Sequence, residues 1–249
     1  MTGLQRKERP IIFSGSSVLG ILDDRKWATR RELKPRALQL INWGAEAQEC
    51  HYLPSDGPIH PNDASYYAQF CPYGQVGDLL WVRENFWQAG AWSASYPEGD
   101  VDTWLGSKRI HFAADGEPPN EPNRHYPNGL RNGSFAAADP HRIWRSRPSI
   151  HMPRWASRIL LEITDVRVER LLDGEGETAF ESRYIAEGIH RIHHGDGEYY
   201  YHPFKNEPGP GNWIDPFDAW RELWVSVNGA VSWDANPWVW AISFRRIQP

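Results

Sequence analysis

The 249-residue chain carries 27 Lys and Arg against 32 Asp and Glu, a formal net charge of −5. That length can bury a sizeable core, and the acidic balance excludes a general DNA- or RNA-coating protein, which is normally basic. No apolar run is long enough to span a bilayer and no secretory leader pattern is present, so a cytoplasmic protein with no membrane partner is expected.

Pro10-Ile11-Ile12-Phe13 reads as a short strand, and Ser14-Gly15-Ser16 as a turn and helix cap. A helix is expected from Ser16 to about Arg25, with Val18, Leu19, Ile21 and Leu22 as its apolar side. It runs into Arg25-Lys26-Trp27-Ala28-Thr29-Arg30-Arg31. If the helical turn continues, Lys26 and Thr29 share a face and set an amine beside a hydroxyl. Lysine shifts its pKa readily on burial, and threonine is a nucleophile once a base adjoins it. Spacing alone favours the plainer alternative, a solvated helix end.

Residues 37–72 show little periodicity and read as irregular. Gly77-Asp78 is a turn signal before the strand-rich Leu79-Leu80-Trp81-Val82-Arg83-Glu84-Asn85-Phe86. From Trp87 to Pro148, Pro-, Asn- and Gly-rich punctuation marks an elaborated insertion of binding-loop or lid type, without a core of its own. The run Arg158 to Val168 is the strongest strand signal, and 175–187 reads as a helix stopped by Gly188. A second irregular insertion, about 190–213, holds the tyrosines and histidines. Asp215-Pro216 supplies an N-cap and N1 proline for a helix with Phe217, Trp220, Leu223, Trp224 and Val227 on one side, ended by Gly229. Residues 237–244 form a last buried strand. Strands distributed among short helices imply a small mixed α/β or barrel-like core.

Other chemistry is thin. His190, His193, His194 and His202 lack a carboxylate or cysteine partner at ligand spacing, and a surface loop is the favoured reading. Cys50 and Cys71 lack CxxC spacing, and no phosphate-binding glycine loop is present, so no metal and no cofactor is expected. The 14 tryptophans are mostly core, with a minority free to stack on a base. Two arginine-rich stretches, Arg30 to Arg36 and Arg142 to Arg158, leave local phosphate contacts open.

Several segments together resemble the ASCH domain, a branch of the PUA-like superfamily. They are Ile21-Leu22-Asp23-Asp24-Arg25-Lys26-x-x-Thr29-Arg30-Arg31, Cys71-Pro72-Tyr73-Gly74-x-x-Gly77-Asp78-x-Leu80-Trp81-Val82-Arg83-Glu84, Trp155-Ala156-Ser157-Arg158-Ile159, Ala186-Glu187-Gly188-Ile189 and Trp238-Val239-Trp240. With its tryptophan-rich inserts the chain resembles the enlarged ASCH-type proteins of bacteriophages and prophages, whose setting is the bacterial host cytosol. The resemblance implies an α+β fold over 8–249: a small PUA-like β-barrel flanked by helices, with large irregular insertions. Small bacterial members remove the acyl group of N4-acetylcytidine with a lysine, a threonine and a glutamate, which match Lys26, Thr29 and Glu187. Arg31 matches the family arginine two residues past the threonine. The implied activity is an amidohydrolase acting on a nucleoside or nucleobase, with Arg25, Trp27, Arg30, Arg31, Trp81, Arg83 and Glu84 as substrate-binding candidates. Other members are RNA- or DNA-binding modules, and ribonuclease activity is attributed to some; a non-catalytic nucleobase reader stays open as the alternative. The sequence departs from the small enzymes at Asp24, which replaces a glycine, at Trp27, which replaces a small polar residue, and in the insertions.

Overall fold

A computed structural model describes residues 6–94, 102–121, 143–173, 183–195 and 197–248. The chain divides into two compact units: Met1–Ile11, Leu19–Trp81 and Ile159–Pro249 form the first, and Ile12–Val18 with Val82–Arg158 the second.

The first unit is built on a five-stranded sheet. Its strands are β1 (Glu8–Ile12), β2 (Ala28–Glu32), β3 (Leu79–Arg83), β7 (Leu160–Arg170) and β10 (Trp238–Ile247), in the order β1-β3-β7-β10-β2, with Ile12 of β1 and Val82 and Arg83 of β3 counted in the second unit. The α+β class expected from the sequence is what these elements make. The barrel is not: β1 and β2 are opposite edges, and among the described residues no sheet closes on itself. The long antiparallel pair β7–β10 forms its centre. Alternation in β7 slips by one residue where the ladder has a bulge, between Asp165 opposite Ser243 and Ile163 opposite Phe244. Leu161 and Ile163 are buried before the slip, and Val166 and Val168 after it. A one-residue slip moves every later side chain to the other face. It therefore sends Arg167 and Glu169 to the side opposite Val166 and Val168.

Helix α1 (Gly15–Leu22) stops three residues short of the expected end at Arg25. The Asp24 N–H bonds to Ile21 O at 3.2 Å, the Arg25 N–H bonds to Gly20 O at 2.8 Å, and Asp24 adopts φ 56°. This is a Schellman stop with aspartate in the left-handed position, a conformation its short polar side chain tolerates. Lys26 and Thr29 therefore do not share a helix face: Lys26 follows the stop, and Thr29 lies in β2.

Residues 37–72 are not irregular throughout. Helix α2 (Pro35–Glu46) begins with proline in its first turn and buries Ala37, Ile41 and Gly44, a spacing of four and three residues. Helix α3 (Ala64–Ala68) follows a 3₁₀ turn. Helix α4 (Pro216–Asn228) starts as expected: Asp215 Oδ1 accepts the Phe217 N–H at 2.8 Å, and Gly229, at φ 83°, ends it. A short helix, α5 (Ala230–Asp234), follows. Trp220, Trp224 and Trp233 from α4 and α5 pack with Leu171, Tyr184, Ile189, Tyr201 and Val239 in one aromatic core.

Both insertions contain ordered strands. In the second unit β4 (Phe86–Ala94) pairs with β5 (Asp102–Phe112) and with β6 (Trp144–Arg147), and Phe86, Met152 and Ala156 form a small core against Ile110 and Phe112. In the first unit β8 (His190–His193) and β9 (Tyr199–His202) make a two-stranded ladder, so the histidine-rich stretch is a hairpin and not an irregular loop. Of the expected helix over 175–187, residues 175–182 lie outside the described residues. Residues 183–186 form turns, with Glu187 N–H on Tyr184 O and Gly188 N–H on Ile185 O. No helix among the described residues is long and apolar enough to cross a membrane.

Candidate functional site

The Schellman stop delivers Lys26 directly beside the turn that ends in Glu187. Lys26 and Glu187 form an isolated antiparallel bridge, and the Trp27 and Ala28 N–H groups both donate to Ala186 O. Two glycines make room for the lysine stem. A Cβ at either Gly20 or Gly188 would sit 3.2 Å from Lys26 Cβ, and Gly188 also has φ 94°. Glycine at 188 thus serves both a left-handed backbone and a close approach.

At the end of that stem the Lys26 amine donates to Glu187 O at 2.7 Å and to Glu187 Oε2 at 2.9 Å. Lysine and glutamate side chains are 2% and 5% exposed, so this is a buried ion pair. The second carboxylate oxygen accepts from Arg30 Nη1 at 3.2 Å. Arg30 Nε in turn donates to Glu169 Oε1 at 2.8 Å, and Arg183 Nη1 donates to Glu169 Oε2 at 2.9 Å. Lys26, Glu187, Arg30, Glu169 and Arg183 therefore alternate in charge along one continuous chain of contacts. The Arg30 guanidinium also lies 5.2 Å from the Tyr184 ring and 5.1 Å from the Trp220 ring. These aromatic faces offset part of its desolvation.

Electrostatics separate the two buried cations. Burial is the largest influence on Lys26 and lowers its pKa; Glu187 opposes it, and Arg31 and Arg30 lower it further. Burial opposes the charge on Arg30 as well, but Glu187 and Glu169 together outweigh it and raise its pKa. The lysine is thus the member of the network that can give up its proton.

Beside this network lies a cleft of about 240 Å³ lined by Trp27, Ala28, Thr29, Arg30, Arg167, Arg183, Ala186, Ala241, Ile242 and Ser243. The β2–β10 register sets Ile242 opposite Thr29 and Ala241 opposite Arg30. Small-molecule sites usually measure about 300–1,000 Å³, so this cleft suits a single base or small fragment. Trp27, 48% exposed, stands in its wall, while Thr29 is 4% exposed.

The other candidates are distributed differently. Arg25 donates to Gly188 O at 2.8 Å and to Asp23 Oδ2 at 3.2 Å, strapping the turn that holds Glu187. Arg31 pairs in register with Trp240, and burial lowers its pKa against the opposing pull of Tyr73 and Glu187. Trp81 sits in β3 opposite Leu160. None of these three lines the cleft. Arg83 and Glu84 belong to the second unit. There Glu84, 2% exposed, accepts Arg158 Nε at 2.9 Å and Nη2 at 3.1 Å. Arg158 also holds Asp115 at 2.7 and 2.9 Å and stacks on Phe112.

Sequence reasoning passed over Glu169, Arg167 and Arg183. The phase slip in β7 carried a signal for the first two, because it sets charged residues on a face opposite a valine pair. Nothing local marked Arg183. Compared with known proteins, the chain matches no family model, no curated protein and no solved structure.

Proposed function

We propose that the first unit is an amidohydrolase of ASCH type that removes the acyl group from the exocyclic amine of a modified cytidine or related nucleobase. The observation that carries this reading is the burial of Lys26 against Glu187 beside a small cleft that Thr29 helps to line. In the proposed reaction neutral Lys26 accepts the Thr29 hydroxyl proton as Oγ attacks the acyl carbonyl. The tetrahedral oxyanion collapses, the C–N bond breaks, and the departing exocyclic amine takes a proton from the Lys26 ammonium. Water then attacks the acyl-threonine ester and releases the carboxylic acid, regenerating the hydroxyl. Trp27 offers a face for the base, and the Arg30 guanidinium supplies positive charge near the developing oxyanion.

One observation favours the second reading, a nucleobase binder without chemistry. The Lys26 amine donates to two oxygens of Glu187, the arrangement of a charged donor and not of a waiting base. Arg167, paired with Asp165, and Arg183, paired with Glu169, also place cationic groups in the cleft wall. Incubation of the protein with N4-acetylcytidine, monitored for cytidine and acetate, separates the two. Release of both products, lost in Lys26→Ala and Thr29→Ala, supports the hydrolase. Binding of N4-acetylcytidine without turnover supports the reader.

A further inference from the structure

The first unit carries a second constellation that plays no part in the cleft. His51, His60 and Asp63 each present one ligand atom, and these three atoms lie within 4.8 Å of one another. Among the described residues no other group of three His, Cys, Asp or Glu side chains meets this condition, the histidines of β8 and β9 included.

The fold presents this cluster deliberately at a solvent edge. His51 lies shortly beyond α2, at the start of a segment without regular structure. His60 caps the 3₁₀ turn Pro61–Asp63, and Asp63 stands at the head of α3. The His60-x-x-Asp63 spacing places two donors on one helical turn. His51 and His60 are exposed and their rings lie 4.5 Å apart, while Asp63 is buried. The carboxylate is fixed from behind: Asp63 Oδ2 accepts the His51 backbone N–H at 3.0 Å and the Tyr67 hydroxyl at 3.3 Å. Tyr67, fully buried, shares that one hydroxyl proton with His51 O, the shorter contact at 2.7 Å. Such outer partners orient the ligands of metal sites.

The donor geometry also suits a cation. His51 Nδ1 and Asp63 Oδ2 lie 2.7 Å apart. His60 Nδ1 accepts the Asn62 N–H at 3.3 Å, a long contact that a cation at that nitrogen would displace. A divalent cation at His51 Nδ1 takes the tautomer whose hydrogen sits on Nε2 and stands where the contact between that nitrogen and the Asp63 carboxylate now lies. Two imidazoles and a carboxylate are three protein ligands with open positions left for water. Cys50, next in sequence, donates its thiol to Ile41 O, and the donor set holds no sulfur. Nitrogen and oxygen donors of this kind select zinc-like divalent ions over soft monovalent copper.

We infer that His51, His60 and Asp63 form a binding site for a divalent transition-metal ion of the zinc class. The ion closes the segment between residues 51 and 60 onto the head of α3. The segment already has one tie: Arg170 Nη2 donates to Pro54 O at 3.3 Å and to Ser55 O at 3.0 Å.

The test is titration of the full chain with Co²⁺, followed by its visible d–d absorption, and with Zn²⁺ by calorimetry. One equivalent of Co²⁺ is expected to bind with visible bands, Zn²⁺ to displace it, and saturating Zn²⁺ to raise the thermal midpoint. His60→Gln, at an exposed position, is expected to weaken binding at least tenfold while the protein stays folded by circular dichroism. His51→Gln is expected to do the same, and His193→Gln with His194→Gln to leave binding unchanged. No stoichiometric Co²⁺ binding, retention of full affinity in folded His60→Gln, or loss of binding only in the hairpin variant overturns the site.

Discussion

Two buried carboxylates anchor the two units, and they are built to opposite ends. In the second unit Glu84 is gripped by both Nε and Nη2 of Arg158, which also holds Asp115. Burial is the main influence on Glu84 and raises its pKa against the pull of Arg158. A guanidinium does not give up its proton in this setting, so the cluster is a clamp. In the first unit Glu187 divides its oxygens between Arg30 and Lys26, and one of those cations is an amine that burial has made easier to deprotonate. The same kind of buried charge is inert when its only partner is arginine and chemically available when a lysine shares it.

Removing each carboxylate is the strongest way to break that contrast. Breaking a buried pair by deleting one partner costs about 3–5 kcal/mol, because a charge is left without compensation. Glu187→Ala and Glu84→Ala are both expected to lose stability on this scale in denaturant unfolding. Only the Glu187 variant is expected to lose N4-acetylcytidine hydrolysis as well, measured under conditions where both are folded. Equal losses of activity in the two variants would erase the distinction.

A finer probe is the pH dependence of kcat/KM. A general-base lysine works in its neutral form, so the rate should rise with pH through an ionisation below the ordinary lysine range. Glu187 pulls that ionisation upward. In Glu187→Gln the rise is therefore expected at lower pH, even if the maximal rate is smaller. An unshifted limb would mean that Lys26 is not the titrating base.

Backbone geometry gives the next effect. Gly188→Ala forces a side chain onto a φ of 94° and towards Lys26 Cβ at 3.2 Å. About 1–2 kcal/mol of destabilisation is expected from the backbone alone, with displacement of Lys26 reducing turnover further. Gly229→Ala, also at positive φ but with no heavy atom near its added Cβ, is expected to show the stability loss without the activity loss.

A last effect concerns acid. Burial, with help from Arg25, holds His190 down to about 4 from an ordinary 6.5. Between those values the unfolded chain binds a proton that the folded chain refuses. Stability from this histidine is therefore complete above pH 6.5 and falls as pH drops towards 4. His190→Gln should flatten that part of the stability curve, as read by urea midpoints at several pH values.

The sequence made some parts of this molecule readable and concealed others for physical reasons. The start of α4 was legible because Asp215, Pro216 and a 3.6-residue apolar stripe all act locally. The end of α1 was misplaced by three residues because aspartate occupies a left-handed position that glycine usually advertises. The second unit's sheet was hidden by Gly- and Pro-rich punctuation around strands whose pairing is long-range. The candidate triad was assembled only through the family resemblance; spacing suggested a shared helix face for Lys26 and Thr29, whereas the chain brings Lys26 to Glu187 across 161 positions. The His51, His60 and Asp63 cluster left only a faint His-x-x-Asp signal, since its third member arrives from an irregular segment.

The most direct measurement is single-turnover hydrolysis of N4-acetylcytidine by the unaltered chain, Thr29→Ala and Lys26→Ala, with release of cytidine and acetate followed over time. Stoichiometric release by the unaltered chain, reduced at least about a hundredfold in both variants, is the expected result. Equal release by all three proteins would contradict a Lys26–Thr29 reaction centre.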